Sequence, residues 1–209
     1  MRGGWICYSM KDPRSICAAG GIYLANHREN EQNSAGASTA RLFVGLELSG
    51  GARALLDAAR REFAKLACGS LYPPELYHIT LCFLGETPRR AIPHLAATLD
   101  RIPFAPFELH VDELGSFRDK AILWAGVRRC PELHRLQGAV RDQLEASGFP
   151  VEKGAYTPHI TLGRKMRLPD ELPELEPAAF PIDHITLFES TRKGGQLAYL
   201  PLHRSASKL

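Results

Sequence analysis

The sequence lacks any run of about 18 apolar residues, so a membrane-spanning helix is not expected. Its first ten residues contain no basic segment followed by an uninterrupted apolar core, so we expect no secretory signal. Cysteine is scarce, and the five cysteines form no CxxC pair and have no histidine-rich partner at zinc-ligand spacing. A disulfide framework and a zinc site are therefore both disfavoured, and a reducing cytoplasm is the expected location.

A large excess of charge of one sign is also absent, because the formal net charge is only +3. This value excludes a protein that coats nucleic acid through charge alone, although it still allows a local basic groove. With 44% hydrophobic and 23% charged residues, the composition is that of an ordinary globular protein with one or two compact lobes.

Residues 1–40 differ in composition from the rest of the chain. Gly, Ser, Asn and charged residues are frequent there, and no helical or strand period persists. We expect a flexible N-terminal extension, or an upstream start included in the reading frame. The folded body is predicted for residues 41–204, followed by a short tail of residues 205–209.

The body contains two copies of the tetrapeptide His-Ile-Thr-Leu, at residues 78–81 and 159–162. A strand sends alternate side chains to opposite faces, so His78 shares a face with Thr80, and His159 shares one with Thr161. The apolar residues between them give each strand a face to bury. Each copy therefore offers one imidazole and one hydroxyl to a cleft, and two such pairs can flank one phosphate.

These copies belong to a longer duplication. An apolar strand that begins at Arg41 precedes His78 by 37 positions, and one that begins at Ala121 precedes His159 by 38. An amphipathic helix and a turn follow the apolar strand in each case. We therefore divide the body into halves of about residues 41–118 and 119–204, each ending in a tail strand.

A third His-Ile-Thr-Leu begins at His184. In the duplicated plan this copy lies on the tail strand of the second half, which corresponds to the region of His110 in the first. Only one position in each half can follow the helix and the turn. We therefore interpret His184 and Thr186 as structural residues.

Two opposed imidazoles suit acid–base chemistry at phosphorus. A neutral imidazole accepts a proton near pH 7, and its protonated form donates one. In an in-line displacement the attacking and leaving oxygens lie on opposite sides of the phosphate, so a base and an acid must face each other across it. Thr80 and Thr161 can hydrogen-bond the non-bridging oxygens. A metal site is disfavoured, since no cluster of carboxylates or thiolates at fixed spacing accompanies the histidines.

The motif pair resembles that of the 2H phosphoesterase superfamily, and within it the bacterial and archaeal RNA 2′,3′-cyclic phosphodiesterases, also called 2′-5′ RNA ligases. The resemblance covers about residues 41–203. It implies an α+β fold of two pseudo-symmetric lobes, with antiparallel sheets around a central cleft and helices outside. Four segments carry it: Arg41-Leu-Phe-Val-Gly, His78-Ile-Thr-Leu-Cys-Phe-Leu-Gly-Glu86, Pro158-His-Ile-Thr-Leu-Gly-Arg164, and Leu187-Phe-Glu-Ser190 followed by Gly195 and Tyr199.

The resemblance also implies an activity, the metal-independent hydrolysis of RNA 2′,3′-cyclic phosphate ends to 2′-phosphomonoesters, with reversible 2′-5′ ligation as a side reaction. It makes His159 the general base that activates water and His78 the general acid that protonates the departing 3′ oxygen. Arg164 matches a phosphate-binding arginine of the family, although a solvated strand end is the alternative interpretation. No cofactor is implied, the partners are RNA or nucleotides with 2′,3′-cyclic phosphate ends, and we expect a monomer.

Other interpretations stay open at this point. A non-catalytic module that binds nucleotides or RNA ends fits the same cleft, and so does a 2H esterase acting on small cyclic nucleotides or ADP-ribose cyclic phosphate. Four aromatic residues are candidate base-stacking surfaces or core residues: Tyr77, Phe83, Phe117 and Tyr156. Six basic residues are candidates for RNA backbone contacts or form a solvated face: Arg89, Arg90, Arg118, Lys120, Lys165 and Arg167.

Overall fold

Strands dominate the part of the chain that the structure describes. The computed structural model describes residues 38–66, 68–152 and 154–208. Residues 1–37 of the predicted N-terminal extension therefore lie outside the described residues. The described helices of two turns or more are α1 (Gly50–Leu66), α2 (Ile92–Leu99) and α3 (Pro131–Ala146). The described strands are β1 (Thr39–Glu47), β2 (Cys68–Leu71), β3 (His78–Pro88), β4 (Phe107–Phe117), β5 (Ile122–Val127), β6 (His159–Arg167), β7 (Ala178–Ile182), β8 (His184–Lys193) and β9 (Gln196–Ala206).

The folded body extends beyond the limits expected from the sequence. β1 begins at Thr39, two residues before the expected start, and β9 continues to Ala206, two residues into the expected tail. Ser205 is 1% exposed, and its hydroxyl donates a hydrogen bond of 3.1 Å to the carbonyl of Leu99. Ser205, near the end of the last strand, is therefore part of the packed interior.

The described strands form one antiparallel sheet in the order β7-β4-β5-β6-β3-β1-β8-β9, with β2 paired to β6. This order is symmetric about the junction of β6 and β3, since β5 then corresponds to β1, β4 to β8 and β7 to β9. α3 packs against β3, and α1 against β7. The predicted α+β class, with pseudo-symmetric antiparallel lobes around a central cleft, is confirmed.

The tail strand of each sequence half pairs within the other half. β4 ends the first half and pairs with β5, to which a tight turn over Arg118–Lys120 connects it. β8 lies in the second half and pairs with β1. Each lobe in space therefore combines segments from both halves of the sequence.

The apolar partners of the two repeated motifs lie in the core. Ile79, Leu81, Ile160 and Leu162 are at most 3% exposed. They belong to one hydrophobic cluster with the inner faces of the helices, including Leu56 and Phe63 of α1, Leu95 and Leu99 of α2, and Leu136 and Val140 of α3. Burial of a side chain of this size contributes roughly 1.5–3 kcal/mol. This burial fixes which face of β3 and β6 is turned to the helices and leaves the other face for the histidines.

Candidate active site

The two repeated motifs meet at the centre of the sheet. β3 and β6 run antiparallel, and Ile79 pairs with Ile160. Continuing this register by one residue in each direction sets His78 opposite Thr161 and Thr80 opposite His159. Because alternate side chains share a face, all four project to the side opposite the buried isoleucines. The duplication thus brings both imidazole–hydroxyl pairs to one place.

A cavity of about 450 Å³ lies on this face of the sheet. Every residue predicted for the site lines it: His78, Thr80, His159, Thr161 and Arg164. Several lining residues were given no role from the sequence, among them Arg41, Tyr72 and Ser190. Arg41 and Ser190 are direct partners across β1 and β8. Their adjacency depends on which strand pairs with β1, which the pattern of either strand alone does not reveal.

The same local contact holds each imidazole. Nδ1 of His78 lies 2.8 Å from the carbonyl oxygen of Leu76, and Nδ1 of His159 lies 2.8 Å from that of Thr157. A carbonyl oxygen only accepts, so Nδ1 carries the proton in each neutral ring. Nε2 is left as the nitrogen that exchanges a proton, and in His78 it lies 3.1 Å from the hydroxyl oxygen of Thr80.

Burial lowers the pKa of both histidines. Desolvation is the largest cause at His78 and lowers its pKa to about 4, because the bond to the Leu76 carbonyl offsets it only in part. Repulsion from His159 and Arg164 acts in the same direction. The pKa of His159 is also lowered, mainly by burial, with smaller contributions from Arg164 and Lys120. Both rings are therefore neutral near pH 7 when no anion is bound, and a bound anion favours their protonation.

Two cationic residues that line the cavity, Lys120 and Arg164, each precede a residue with strained backbone. Ala121 and Lys165 have φ values of 51° and 55°, in the left-handed region that residues with a Cβ rarely adopt. They directly follow Lys120 and Arg164, which both line the cavity. The amide of Met166 donates a hydrogen bond of 3.0 Å to the carbonyl of Ala121, which ties the two turns together. Such conformations cost about 1–3 kcal/mol each and often occur at ligand sites.

Aromatic rings pack against both imidazoles. Tyr199 meets His78 edge to face with 4.8 Å between ring centroids, and Phe43 lies at the same distance from His78. Phe117 meets His159 edge to face at 5.1 Å. Burial raises the pKa of Tyr199 to about 12, so its hydroxyl stays neutral at physiological pH. These ring contacts contribute to the burial that lowers the pKa of both histidines.

Two of the four candidate stacking residues, Phe83 and Phe117, line the cavity. Phe83 is 47% exposed, which is unusual for so large an apolar side chain. Tyr77 is 1% exposed and donates a hydrogen bond of 3.2 Å to the carbonyl of Tyr72, so it belongs to the core and offers no stacking surface. Tyr156 lines a neighbouring cavity instead.

Of the six basic candidates, Lys120 lines the cavity. Arg89 forms an ion pair with Glu189, and Arg118 donates a hydrogen bond of 3.1 Å to the carbonyl of Asp170. These two contacts give both arginines structural partners. The lining does not include Arg90, Lys165 or Arg167.

The third His-Ile-Thr-Leu lies apart from this cavity. His184 begins β8, the strand that corresponds to β4, as the duplicated plan predicted. Its Nδ1 lies 2.5 Å from a carboxylate oxygen of Asp183, and its Nε2 lies 3.5 Å from one of Glu47. Thr186 is fully buried and donates a hydrogen bond of 2.8 Å to Glu47. These contacts agree with a structural role.

Within residues 38–66, 68–152 and 154–208, no three His, Cys, Asp or Glu side chains come together as a metal ion would require. The helices in that part of the chain are all too short or too polar to cross a membrane.

Comparisons with known proteins point in one direction. A family model of the 2′-5′ RNA ligase superfamily matches residues 50–194, a range that includes both histidine motifs. An RNA 2′,3′-cyclic phosphodiesterase of Archaeoglobus fulgidus is 29% identical over 138 residues, which cover 65% of this chain and 78% of the relative. The protein of the same name from Escherichia coli is 29% identical over 171 residues, which cover 79% of this chain and 96% of the relative. The crystal structure of E. coli LigT complexed with 3′-AMP matches with a TM-score of 0.71 at 27% identity, covering 83% of this chain and 100% of that one.

Proposed function

The chain belongs to the 2′-5′ RNA ligase superfamily, and on that premise we propose that it hydrolyses 2′,3′-cyclic phosphate ends of RNA to 2′-phosphomonoesters. One observation carries the proposal, the register of β3 and β6 that sets two imidazole–hydroxyl pairs around a single cavity. The names of the relatives from A. fulgidus and E. coli support the activity. The substrates are RNA or nucleotides that end in a 2′,3′-cyclic phosphate.

His159 acts as the general base and His78 as the general acid. Nε2 of His159 takes a proton from water while the water oxygen attacks phosphorus. The bond from phosphorus to the 3′ oxygen breaks on the opposite side, and Nε2 of His78 donates a proton to that oxygen. The 2′ ester remains, so the product is a 2′-phosphate. Each proton transfer contributes roughly 10²–10⁴-fold to the rate.

Thr80, Thr161 and Arg164 bind the phosphate. The two hydroxyls donate to non-bridging oxygens from either flank, and the guanidinium of Arg164 adds charge-assisted hydrogen bonds. Negative charge on these oxygens must be stabilised throughout the displacement, and groups that are already oriented need no rearrangement to do so. The strained backbone beside Arg164 fits such a positioning role.

A bound phosphate changes the protonation of His78. With a pKa of about 4, this residue is almost entirely neutral at pH 7 when no ligand is bound, and it is then a poor acid. A phosphate anion within hydrogen-bonding distance favours the imidazolium and raises this pKa. Substrate binding is therefore coupled to the uptake of a proton at His78.

The same residues support a reversible reaction with an alcohol. When a ribose 5′-hydroxyl takes the place of water, His159 removes its proton and the product is a 2′-5′ phosphodiester. In the reverse direction His159 protonates the departing 5′ oxygen, and His78 takes the proton of the 3′-hydroxyl. We therefore include reversible 2′-5′ ligation in the proposed function.

The test uses cytidine 2′,3′-cyclic phosphate in excess EDTA, with the 2′- and 3′-phosphate products separated by chromatography. We expect cytidine 2′-phosphate alone, and a loss of about 10²-fold or more in kcat for His78→Ala and for His159→Ala. His110→Ala is the matched control, because this histidine lies partly exposed on β4, away from the cavity. Full activity in either active-site variant, or a 3′-phosphate product, would contradict the assignment.

A further inference from the structure

A second cavity, of about 370 Å³, adjoins the first on the side of His159. His78 lines the first cavity and not the second, whereas His159 lines both. The two cavities are therefore neighbours at one of the two histidines. They share five lining residues: Thr80, Phe83, Phe117, Lys120 and His159.

The geometry of an in-line displacement indicates which group the second cavity would hold. Entering and leaving oxygens lie on opposite sides of phosphorus. With His78 protonating the 3′ oxygen, the ribose that carries the cyclic phosphate occupies the first cavity. The group that enters or leaves beside His159 then extends toward the second cavity. Water needs no such space, but a nucleoside does.

The lining of the second cavity suits a nucleoside. The exposed ring of Phe83 stands where the two cavities meet and offers an apolar face on which a base can stack. Gln137 of α3 donates a hydrogen bond of 3.4 Å to the carbonyl of Leu81, which leaves its amide oxygen able to accept one from a base. The hydroxyl of Tyr156 is buried and has no hydrogen-bond partner among the described residues. A buried polar atom of this kind is costly unless a ligand or water satisfies it.

We propose that the second cavity is a nucleoside site, which holds the 5′-hydroxyl partner when a 2′-5′ bond forms and the departing nucleoside when that bond is cleaved. The inference rests on the proposed function. The 5′ oxygen forms a bond to phosphorus, the bond from phosphorus to the 3′ oxygen breaks, His159 accepts the proton of the 5′-hydroxyl, and His78 donates one to the 3′ oxygen. The step needs no oxidant, reductant or further reactant.

The experiment compares kcat/KM for two substrates on the same protein preparation. Cytidine 2′,3′-cyclic phosphate uses the first cavity only, whereas 2′,5′-linked cytidylyl-adenosine places its adenosine in the second. Gln137→Leu removes the polar end of the glutamine, and Tyr156→Phe removes only the unpartnered hydroxyl. Gln143→Leu is the control, since it makes the same change at an exposed position of the same helix.

We expect the ratio of the two kcat/KM values, dinucleotide over cyclic nucleotide, to fall about tenfold in Gln137→Leu and in Tyr156→Phe, as the loss of one hydrogen bond to the leaving nucleoside requires. Gln143→Leu should leave the ratio at the wild-type value. Because the ratio is taken within one preparation, incomplete folding of a variant cancels. An unchanged ratio in both variants overturns the inference.

The inference and the function on which it rests fail in different ways. Wild-type protein that opens the cyclic nucleotide but leaves the 2′,5′ dinucleotide intact overturns the nucleoside site and leaves the proposed hydrolysis standing. Wild-type protein that acts on neither substrate overturns the proposed function itself.

Discussion

Lowering the pH should protonate His78 only far below neutrality in the ligand-free protein, because burial lowers its pKa to about 4. Against an ordinary histidine value of about 6.5, this corresponds to about 3 kcal/mol of lost affinity for the proton. At pH 7 about one molecule in a thousand then carries the proton on this ring. The pKa of His159 is lowered as well. A form with His78 protonated and His159 neutral is therefore most abundant at acidic pH.

Steady-state kinetics with cytidine 2′,3′-cyclic phosphate report the pKa values of the free protein and of its substrate complex separately. The pH dependence of kcat/KM follows the free protein, so it should be bell-shaped with a maximum below about pH 6.5. The pH dependence of kcat follows the complex, in which the phosphate anion raises the pKa of His78, and its maximum should lie at higher pH. NMR titration of the ring, assigned with His78→Gln, should show the same rise when cytidine 2′-phosphate is added.

Two results would refute this reasoning. One is a ligand-free His78 that titrates at or above its ordinary value in protein shown to be folded by circular dichroism. The other is a kcat/KM that continues to rise above pH 7. Either would mean that water reaches the ring in spite of Tyr199 and Phe43, and that the coupling between phosphate binding and proton uptake is absent.

Three other experiments have defined outcomes. Arg164→Gln should lower kcat/KM by about 10–100-fold through the loss of charge-assisted bonds to phosphate, while Arg167→Gln on the same strand should leave it unchanged. His184→Ala should keep wild-type kinetics and lower the free energy of unfolding by about 1 kcal/mol or less, measured in urea. His78 binds a proton less readily in the folded protein than in the unfolded protein, so the free energy of unfolding should fall as the pH drops from about 6.5 to 4. In His78→Gln this fall should be smaller by about 3 kcal/mol.

The central strands were predictable because their apolar faces are regular. β1, β3, β5 and β6 all carry buried aliphatic residues in short runs, and α1 and α3 show helical spacing. β7 and β9 were missed for a physical reason. Both lie at the ends of the sheet order, and both contain a proline, Pro181 and Pro201. An edge strand tolerates the missing amide of proline, whereas the same residue argues against a strand in the sequence.

The residues of the candidate site also divide into those that the sequence pattern predicts and those that it does not reveal. His78, Thr80, His159 and Thr161 were identified because the period of a strand and an internal duplication are both visible in one dimension. Tyr72 reaches the cavity from a connecting segment, where no period constrains it, and Lys120 reaches it from another and was only one of six basic candidates. The left-handed residues beside Lys120 and Arg164 were equally invisible, since alanine and lysine give no signal for positive φ.

The two histidines lie in repeated motifs but have different aromatic neighbours, because Tyr199 packs edge to face against His78. Each ring bonds to the carbonyl two residues before it, so that contact does not distinguish them. Their surroundings differ in what the two edge strands contribute. β9 has 11 residues and brings Tyr199 against His78, whereas its counterpart β7 has 5 and places no residue in the cavity. Tyr199→Ala should admit water beside the ring and raise the pKa of His78, which moves the maximum of kcat/KM to higher pH. Tyr199→Phe keeps the ring and should leave the pKa of His78 and the pH of the kcat/KM maximum at their wild-type values. A pKa that stays near 4 in folded Tyr199→Ala protein, measured by NMR, would show that other contacts desolvate His78.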